Sequence, residues 1–450
     1  SRLACPSRGR SHSLRAWGNV LGVGPKGDHS DWSQYSPEML EYCRQDVRLT
    51  VAVLRQLERE LEGFDQRSID LEHRVAEIIE QQEQNGWLLD QEKAFMLVAE
   101  LKEKKIELED KVHERFRPRC RPVREVAVKY KKDGTLSKVG LNWLGERALA
   151  VVGGDFSAVD WPEFNLGSRQ QIGEYLQHFG WKPTQFTDTG QPIVSEKVLM
   201  NIKGIPEAEL IADYLTVEKR IAMAQSWLEF VQDDGRVHGR VNSNGAVTGR
   251  MTHFEPNMAQ VTSGSKIYGR EMRACWTAPE GYRIVGCDAS GLELRMLAHY
   301  MADDEYTKEV TDGDVHTVNQ RAAGLDTRDQ AKTFIYAFLY GAGDAKIGAI
   351  AGKGKAAGGN LKKRFLDRTP ALQRLKERVE RAAGRGFLRG LDGRKIAVRS
   401  RHAALNSLLQ GAGAVVMKQA LVNLVRMADA HKLDYKLVGN IHDEIQTEVK

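Results

Sequence analysis

Tyr282-Arg-Ile-Val-Gly-Cys-Asp288, followed by Ala289-Ser-Gly-Leu-Glu-Leu-Arg295, is the stretch on which the fold turns. Its first half alternates as a strand does and ends at Asp288. Its second half opens a helical pattern that carries Glu293. Far downstream, Leu437–Ile441 and Ile445–Val449 are two β-rich runs around His442-Asp443-Glu444. They predict a hairpin with two acids at or near its turn. Two acids from separate strands of one sheet can straddle a pair of divalent metals. Mg²⁺ suits them, because it takes hard oxygen ligands and is held by one or two carboxylates plus substrate phosphates.

Between these acids lies Arg328 to Gly341. Arg328, Lys332, Tyr336 and Tyr340 recur every fourth residue, which at 3.6 residues per turn makes one gently drifting stripe. Phe334, Ile335, Phe338 and Leu339 fall on other faces and can anchor the helix. Arg forks onto phosphate oxygens, Lys supplies a compact charge, and tyrosine rings stack on a base or pack on a sugar. A triphosphate on this helix, facing metal-binding carboxylates, is equipment for nucleotidyl transfer.

The bulk composition agrees without adding much. A chain of 450 residues with 41% hydrophobic and 28% charged content is ordinary globular protein of two to four domains. The net charge of +5 points only weakly to a polyanion. Its distribution says more. Residues 115–138 hold nine basic residues (Arg115 to Lys138) against Glu125 and Asp133, and Lys353, Lys355, Lys362, Lys363 and Arg364 form a second run. The five cysteines are odd in number, and no CxxC occurs, which argues for a reducing compartment without structural disulfides or zinc. We find no apolar run of membrane-spanning length and no apolar signal core near Ser1, so no membrane partner is expected. The chain starts without Met and stops within a patterned segment at Lys450, so we expect a piece of a longer protein.

Residues 36–64 and 66–114 read as helical, the latter broken near Asn85-Gly86. Residues 116–165 change character, with Pro118, Pro122, Asp133-Gly134 and Gly153-Gly154, and read as a poorly regular basic tip. A second long helix is predicted over about 206–233. Val237–Val241 is strand-like, Asn242-Ser-Asn-Gly245 is a turn, and helices dominate 291–384 and 402–431.

The strings Asp288-x-Ser-x-x-Glu-Leu-Arg295, Arg328-x₃-Lys332-x₇-Tyr340-Gly341 and His442-Asp-Glu444 resemble motifs A, B and C of family A (polymerase I type) DNA polymerases, in the family's order. Asn242-Ser-Asn-Gly-Ala-Val-Thr-Gly-Arg250, Gly313-Asp-Val-His316 and Ser407-Leu-Leu-Gln410 look like replicative members from short-tailed phages of the T-odd type. The resemblance implies a mostly helical α/β (α+β) right-hand fold with a palm sheet and helical fingers and thumb. It implies an exonuclease remnant at 1–65, a thumb at 66–235 with its tip at 116–165, palm at 236–300 and 401–450, and fingers at 301–400. It also implies a replicative, template-directed DNA polymerase using two Mg²⁺ ions, primer–template DNA and deoxynucleoside triphosphates, in the cytoplasm of a phage-infected bacterium.

The same resemblance implies residue roles. Asp288, the Ala289 carbonyl and Asp443 would bind metal, and Glu444 and Lys332 would assist the chemistry. Glu293 would fill the space a ribose 2′-hydroxyl needs. Arg328, Lys332 and His316 would bind the triphosphate. Tyr336 would accept dideoxynucleotides readily, and Tyr340 would cover the nascent base pair. Arg250, Gln260, Asn406, Gln410 and His442 would meet the primer–template duplex. Tyr42-x₃-Asp46 looks like the last motif of a 3′→5′ exonuclease, and no earlier Asp-x-Glu partner precedes it, so proofreading is expected to be absent. Phage relatives bind thioredoxin at the thumb tip, and 116–165 is where such a processivity factor would sit. Two other readings stand beside this one. A single-subunit RNA polymerase shares the aspartates and the Lys–Tyr-Gly helix, but a bulky Glu293 would obstruct a ribose. A catalytically idle primer–template-binding fragment would keep the DNA contacts alone.

Overall fold

The computed structural model describes residues 1–4, 11–24, 27–126, 129–135, 156–398 and 400–450. Lys138 and the centre of the predicted tip, 136–155, lie outside the described residues. The chain divides into two compact units. Unit 1 comprises 1–89, 230–260 and 276–450, and unit 2 comprises 90–229 and 261–275.

Unit 1 is built around a three-stranded antiparallel sheet. Strand β1 (Arg283–Asp288) pairs with β3 (Glu444–Val449), which pairs in turn with β2 (Tyr435–Ile441). One side of the sheet is backed by helix α1 (Gln66–Asn85), helix α2 (Leu292–Met301) and the long helix α4 (Ala404–Ala430). Their apolar positions meet in a core of Val75, Ile78, Leu292, Met417, Leu421, Leu437 and Ile445. The sheet's β1 edge is open, with Val285 51% exposed. Ile284 alone on this strand is partly covered, so the alternation read from 282–288 marks the strand without a buried face.

The helices of residues 292–383 share a second core in the same unit. Helix α3 (Arg328–Leu339) starts at a capping box, in which Thr327 accepts from the Gln330 backbone N–H and the Gln330 side chain reaches back. Phe334 and Phe338 pack on Phe365 with ring centroids 5.1 and 5.4 Å apart. Burial of that face turns the Arg328–Lys332–Tyr336–Tyr340 stripe outward.

Buried charges tie distant segments of unit 1 together. Lys418, in the middle of α4 and 2% exposed, donates to Glu72 of α1 at 2.7 and 2.8 Å and to the Asn244 side-chain oxygen at 3.0 Å. Arg394 reaches the same Glu72 at 2.8 Å and Asp392 at 2.7 Å. Burial pushes the Lys418 ammonium down to about 8. Elsewhere in the unit, Arg236 forks onto Glu448 at 2.9 and 2.8 Å.

Residues 401–430 form a helix long and apolar enough by composition to cross a membrane, which corrects the sequence reading that no such run exists. The correction has a physical cause. About 61% of its most apolar 18-residue stretch is buried inside the protein, because it is a core helix, and its interior lysine is matched by Glu72.

Unit 2 holds the long helices Gln91–His113 and Glu207–Phe230 and the shorter helix Arg169–His178. Asp90 caps the first by accepting from the Lys93 N–H. Lys105–Glu218 joins the two long helices at 3.1 Å, and Arg115, two residues past the end of the first, pairs with Glu207 at 2.9 Å. Phe116, Phe164 and Tyr175 form a buried ring cluster. Helix α1, grouped with this arm in the sequence reading, lies in unit 1. At the described flanks of the tip, Arg121–Val126 and Phe156–Asp160 pair as antiparallel strands.

Candidate active site

The hairpin register brings the acids together. Glu444, the first residue of β3, lies directly opposite Asp288, the last residue of β1. The Ala289 N–H then donates to the Asp443 carbonyl at 2.8 Å, which carries the pairing past the end of the strand. Asp288, Ala289, Asp443 and Glu444 therefore occupy one end of one sheet. His442 holds the turn with φ 59°, a left-handed conformation that costs an L-residue energy and is retained where surrounding structure enforces it. Gly286 leaves room for the Glu444 side chain, since a Cβ there would lie 2.9 Å from its Oε1.

These carboxylates suit a hard cation. Among the described residues none of Asp288, Asp443 and Glu444 has an ion-pair partner. Partial burial, then the nearby charges of Asp443 and Glu444, hold the Asp288 carboxyl above its usual value. Among the described residues no three His, Cys, Asp or Glu side chains form a complete metal cage. Mg²⁺ is commonly held this way, by one or two carboxylates with the remaining ligands from water and substrate phosphates.

Glu293 is the hub of a second cluster. It stands in the first turn of α2 and accepts from Arg250 Nη2 at 3.0 Å and from the Tyr340 hydroxyl at 2.9 Å. Burial, then the Glu293 charge, pushes the Tyr340 phenol up to about 12. The Tyr336 ring lies 6.4 Å from that of Tyr340 and packs against the helical core. Burial, then the charges of Glu293 and Asp443, raise the Tyr336 pKa. Gly341 has φ 72°, and a Cβ there would stand 2.5 Å from the His402 carbonyl oxygen, so the glycine of the motif is a packing requirement.

Arg328 and Lys332 are exposed on the same face of α3. Arg328 donates through Nε to Asp314 at 2.8 Å. His316, on the neighbouring helix Val315–Ala323, has its pKa lowered by burial and then by Arg328 and Lys332. Its Nδ1 is buried with no hydrogen-bond partner among the described residues.

The other expected residues are more dispersed. Asn406 and Gln410 are part-exposed one turn apart on α4. Arg250, Asn440, His442 and Lys418 line one small cavity, and burial and then the Arg250 charge lower the His442 pKa. Gln260 is exposed at the end of a short 3₁₀ turn, with no hydrogen bond to this cluster among the described residues. Tyr42 and Asp46 lie one turn apart on helix Pro37–Glu60.

Two features escaped the sequence reading. Asp314 is one, and its sequence signal is its place just before Val-His at a helix start. In unit 2, Lys182, Lys197 and Lys203 line a cavity of about 600 Å³ beside Trp181, with no acidic side chain in its wall. Their scatter over 22 positions leaves no local signal.

The profile of DNA polymerase family A matches residues 146–450. The DNA-directed DNA polymerases of enterobacteria phage T3 and Escherichia phage T7 are each 37% identical to this chain over 97% of it and 76% of their own length. DNA polymerase I of Pseudomonas aeruginosa is 27% identical over 71% of the chain and 38% of its own length. Among solved structures, the POL domain of Pol1 from M. smegmatis, in complex with DNA primer-template and dNTP, superposes with a TM-score of 0.78 at 19% identity, covering 100% of this chain and 74% of that one.

Proposed function

This chain belongs to DNA polymerase family A, and we propose that its acidic strand ends, its Glu293 hub and its α3 stripe are the parts that extend a primer. The reaction is templated DNA synthesis in replication. The observation that carries the residue assignment is the register that sets Asp288 opposite Glu444 and bonds Ala289 to Asp443.

Asp288, Asp443 and the Ala289 carbonyl would hold the metal. Two bound Mg²⁺ ions would lower the pKa of the primer 3′-hydroxyl and neutralise the departing pyrophosphate. The primer 3′-hydroxyl loses its proton to solvent, its oxygen forms a bond to the α-phosphorus of the incoming deoxynucleotide, and the bond from that phosphorus to the bridging oxygen breaks, so that pyrophosphate leaves. Arg328, Lys332 and His316 bind the triphosphate by charge and hydrogen bonds, and Lys332 neutralises the leaving group. Glu444 lies beside Asp288 and tunes its charge. Glu293 occupies the volume a ribose 2′-hydroxyl requires, held there by Arg250 and Tyr340. Tyr336 and Tyr340 offer ring faces to the nascent pair, and Tyr336 tolerates a dideoxy sugar. Arg250, Gln260, Asn406, Gln410 and His442 read the minor-groove acceptors, which are nearly the same for every base pair.

Residues 90–229 would serve as the thumb, 236–300 and 401–450 as the palm with 66–89 packed on it, and 301–400 as the fingers. The Lys182–Lys197–Lys203 cavity suits a DNA phosphate backbone. A thioredoxin-like processivity factor docks on 116–165, where Val123, Val159 and Trp161 are 50, 51 and 61% exposed amid arginines. By analogy with the T3 and T7 relatives, the protein works in the cytoplasm of an infected bacterium.

Primer extension on a recessed template with Mg²⁺ and single deoxynucleotides tests this reading. Templated addition should vanish in Asp443→Ala and Asp288→Ala while duplex binding persists. Equal addition by wild type and Asp443→Ala would reject the site. Thioredoxin should lengthen the wild-type products, and no lengthening would remove that partner.

A further inference from the structure

Asp314 stands between two groups assigned above to the triphosphate. Its Oδ1 accepts from the backbone N–H groups of His316 at 3.2 Å and Thr317 at 3.4 Å, which caps helix Val315–Ala323. Its Oδ2 accepts from the Thr317 hydroxyl at 2.7 Å and from Arg328 Nε at 2.8 Å. Four contacts thus fix this carboxylate, although its side chain is 44% exposed. An ordinary surface ion pair must immobilise both partners, which is why such pairs contribute little. Here one partner is already immobile as a helix cap.

The way Arg328 is held matters as much. Asp314 takes the guanidinium by Nε, a side position, and no hydrogen bond to Nη1 or Nη2 occurs among the described residues. Arg328 is the first residue of α3, one turn before Lys332 on the exposed stripe. The same Asp314 also starts the helix that carries His316. One carboxylate therefore sets the orientation of an arginine on one helix and the start of the helix bearing a histidine.

We infer that Asp314 is a positioning residue for deoxynucleotide binding, orienting Arg328 by Nε so that its terminal nitrogens are presented to the incoming phosphates. The inference rests on the reading of Arg328 as a triphosphate ligand. Pre-orientation removes the entropy that a free, rotamer-rich arginine would lose on binding.

The test is a set of single-nucleotide insertion measurements on wild type, Asp314→Asn, Arg328→Ala and the double variant. Asparagine keeps an oxygen for the cap, and its N–H₂ can donate to the Thr317 hydroxyl, which turns to accept, but it faces Arg328 Nε donor to donor and breaks the tether. Asp314→Asn should raise the KM for deoxynucleotide by about tenfold, with kcat changed less. In the Arg328→Ala background it should change KM no further, because the residue it acts through is gone. Thermal melting separates a structural role: a lowered Tm with unchanged KM would overturn the inference, as would a lowered KM, which would make Asp314 a competing counter-ion. If Arg328→Ala itself leaves KM unchanged, the triphosphate reading fails instead.

Discussion

Tyr340 and Glu293 lie 47 positions apart and are joined by a 2.9 Å hydrogen bond in which the phenol donates to Oε2. The other carboxylate oxygen accepts from Arg250, so Glu293 is clamped from both sides. A clamped side chain rejects a competing group better than a mobile one, because it cannot step aside.

Discrimination against ribonucleotides should therefore fall by at least about tenfold in Glu293→Ala. Tyr340→Phe, which leaves Arg250 as the single clamp, should lose less. The Tyr340 phenol, pushed up to about 12, remains a donor through the neutral and mildly alkaline range, so the wild-type ratio should be flat with pH there. Ratios of kcat/KM for matched ribo- and deoxynucleotides measure this; an unchanged ratio in Glu293→Ala would remove the steric role.

The raised pKa of Asp288 makes a prediction about the metal-free protein. A carboxyl whose folded-state pKa lies above its unfolded value contributes stability that is present below the unfolded value and is lost as pH rises through the folded one. At neutral pH that contribution is gone, and Asp288 repels Asp443 and Glu444. Asp288→Asn should raise the metal-free Tm by roughly 1–2 °C at neutral pH and by less in acid, while abolishing extension. Mg²⁺ should raise the wild-type Tm more than that of the variant. Calorimetry across pH and magnesium concentration checks both.

His442 holds a left-handed φ of 59° without being glycine. Substitution His442→Gly should relieve that conformation and stabilise the protein by about 0.5 kcal/mol, after allowing for glycine's greater freedom in the unfolded chain. Extension should slow at the same time, since the imidazole beside Arg250 is lost. Urea unfolding and extension rates on one sample measure the two effects, and a loss of stability would show that the imidazole itself holds the turn.

Lys418 and Glu72 supply a stability prediction far from the chemistry. Removing one member of a buried charge cluster leaves the other uncompensated, so Lys418→Ala should cost about 3 kcal/mol. The urea midpoint should shift accordingly. A cost below about 1 kcal/mol would mean that Arg394 alone satisfies Glu72.

Much of the site was legible in the sequence because its signals are local. A strand that alternates and ends in an acid, a hairpin with acids at its turn, and a stripe repeating every fourth residue each follow from the geometry of a single element. The stripe emerged outward because Phe334 and Phe338 were inward, as their offset from Arg328 and Lys332 required. The strand pair flanking the tip was not legible because its strands are short and interrupted by Arg, Glu and Pro, which hides the alternation. Helix α4 was missed as a long apolar run because its polar and small residues interrupt the pattern while its mean hydropathy stays high.

By itself the sequence determined which elements form and which chemical groups each presents, together with the family those motifs mark. Only the tertiary structure decided that Glu293 answers to Arg250 and Tyr340, that Arg328 is tethered to Asp314, and that Glu72 meets a lysine 346 positions away. The reason is physical. Helical and strand periodicity is set by neighbours along the backbone, whereas a contact across the fold depends on how every element between the two residues packs.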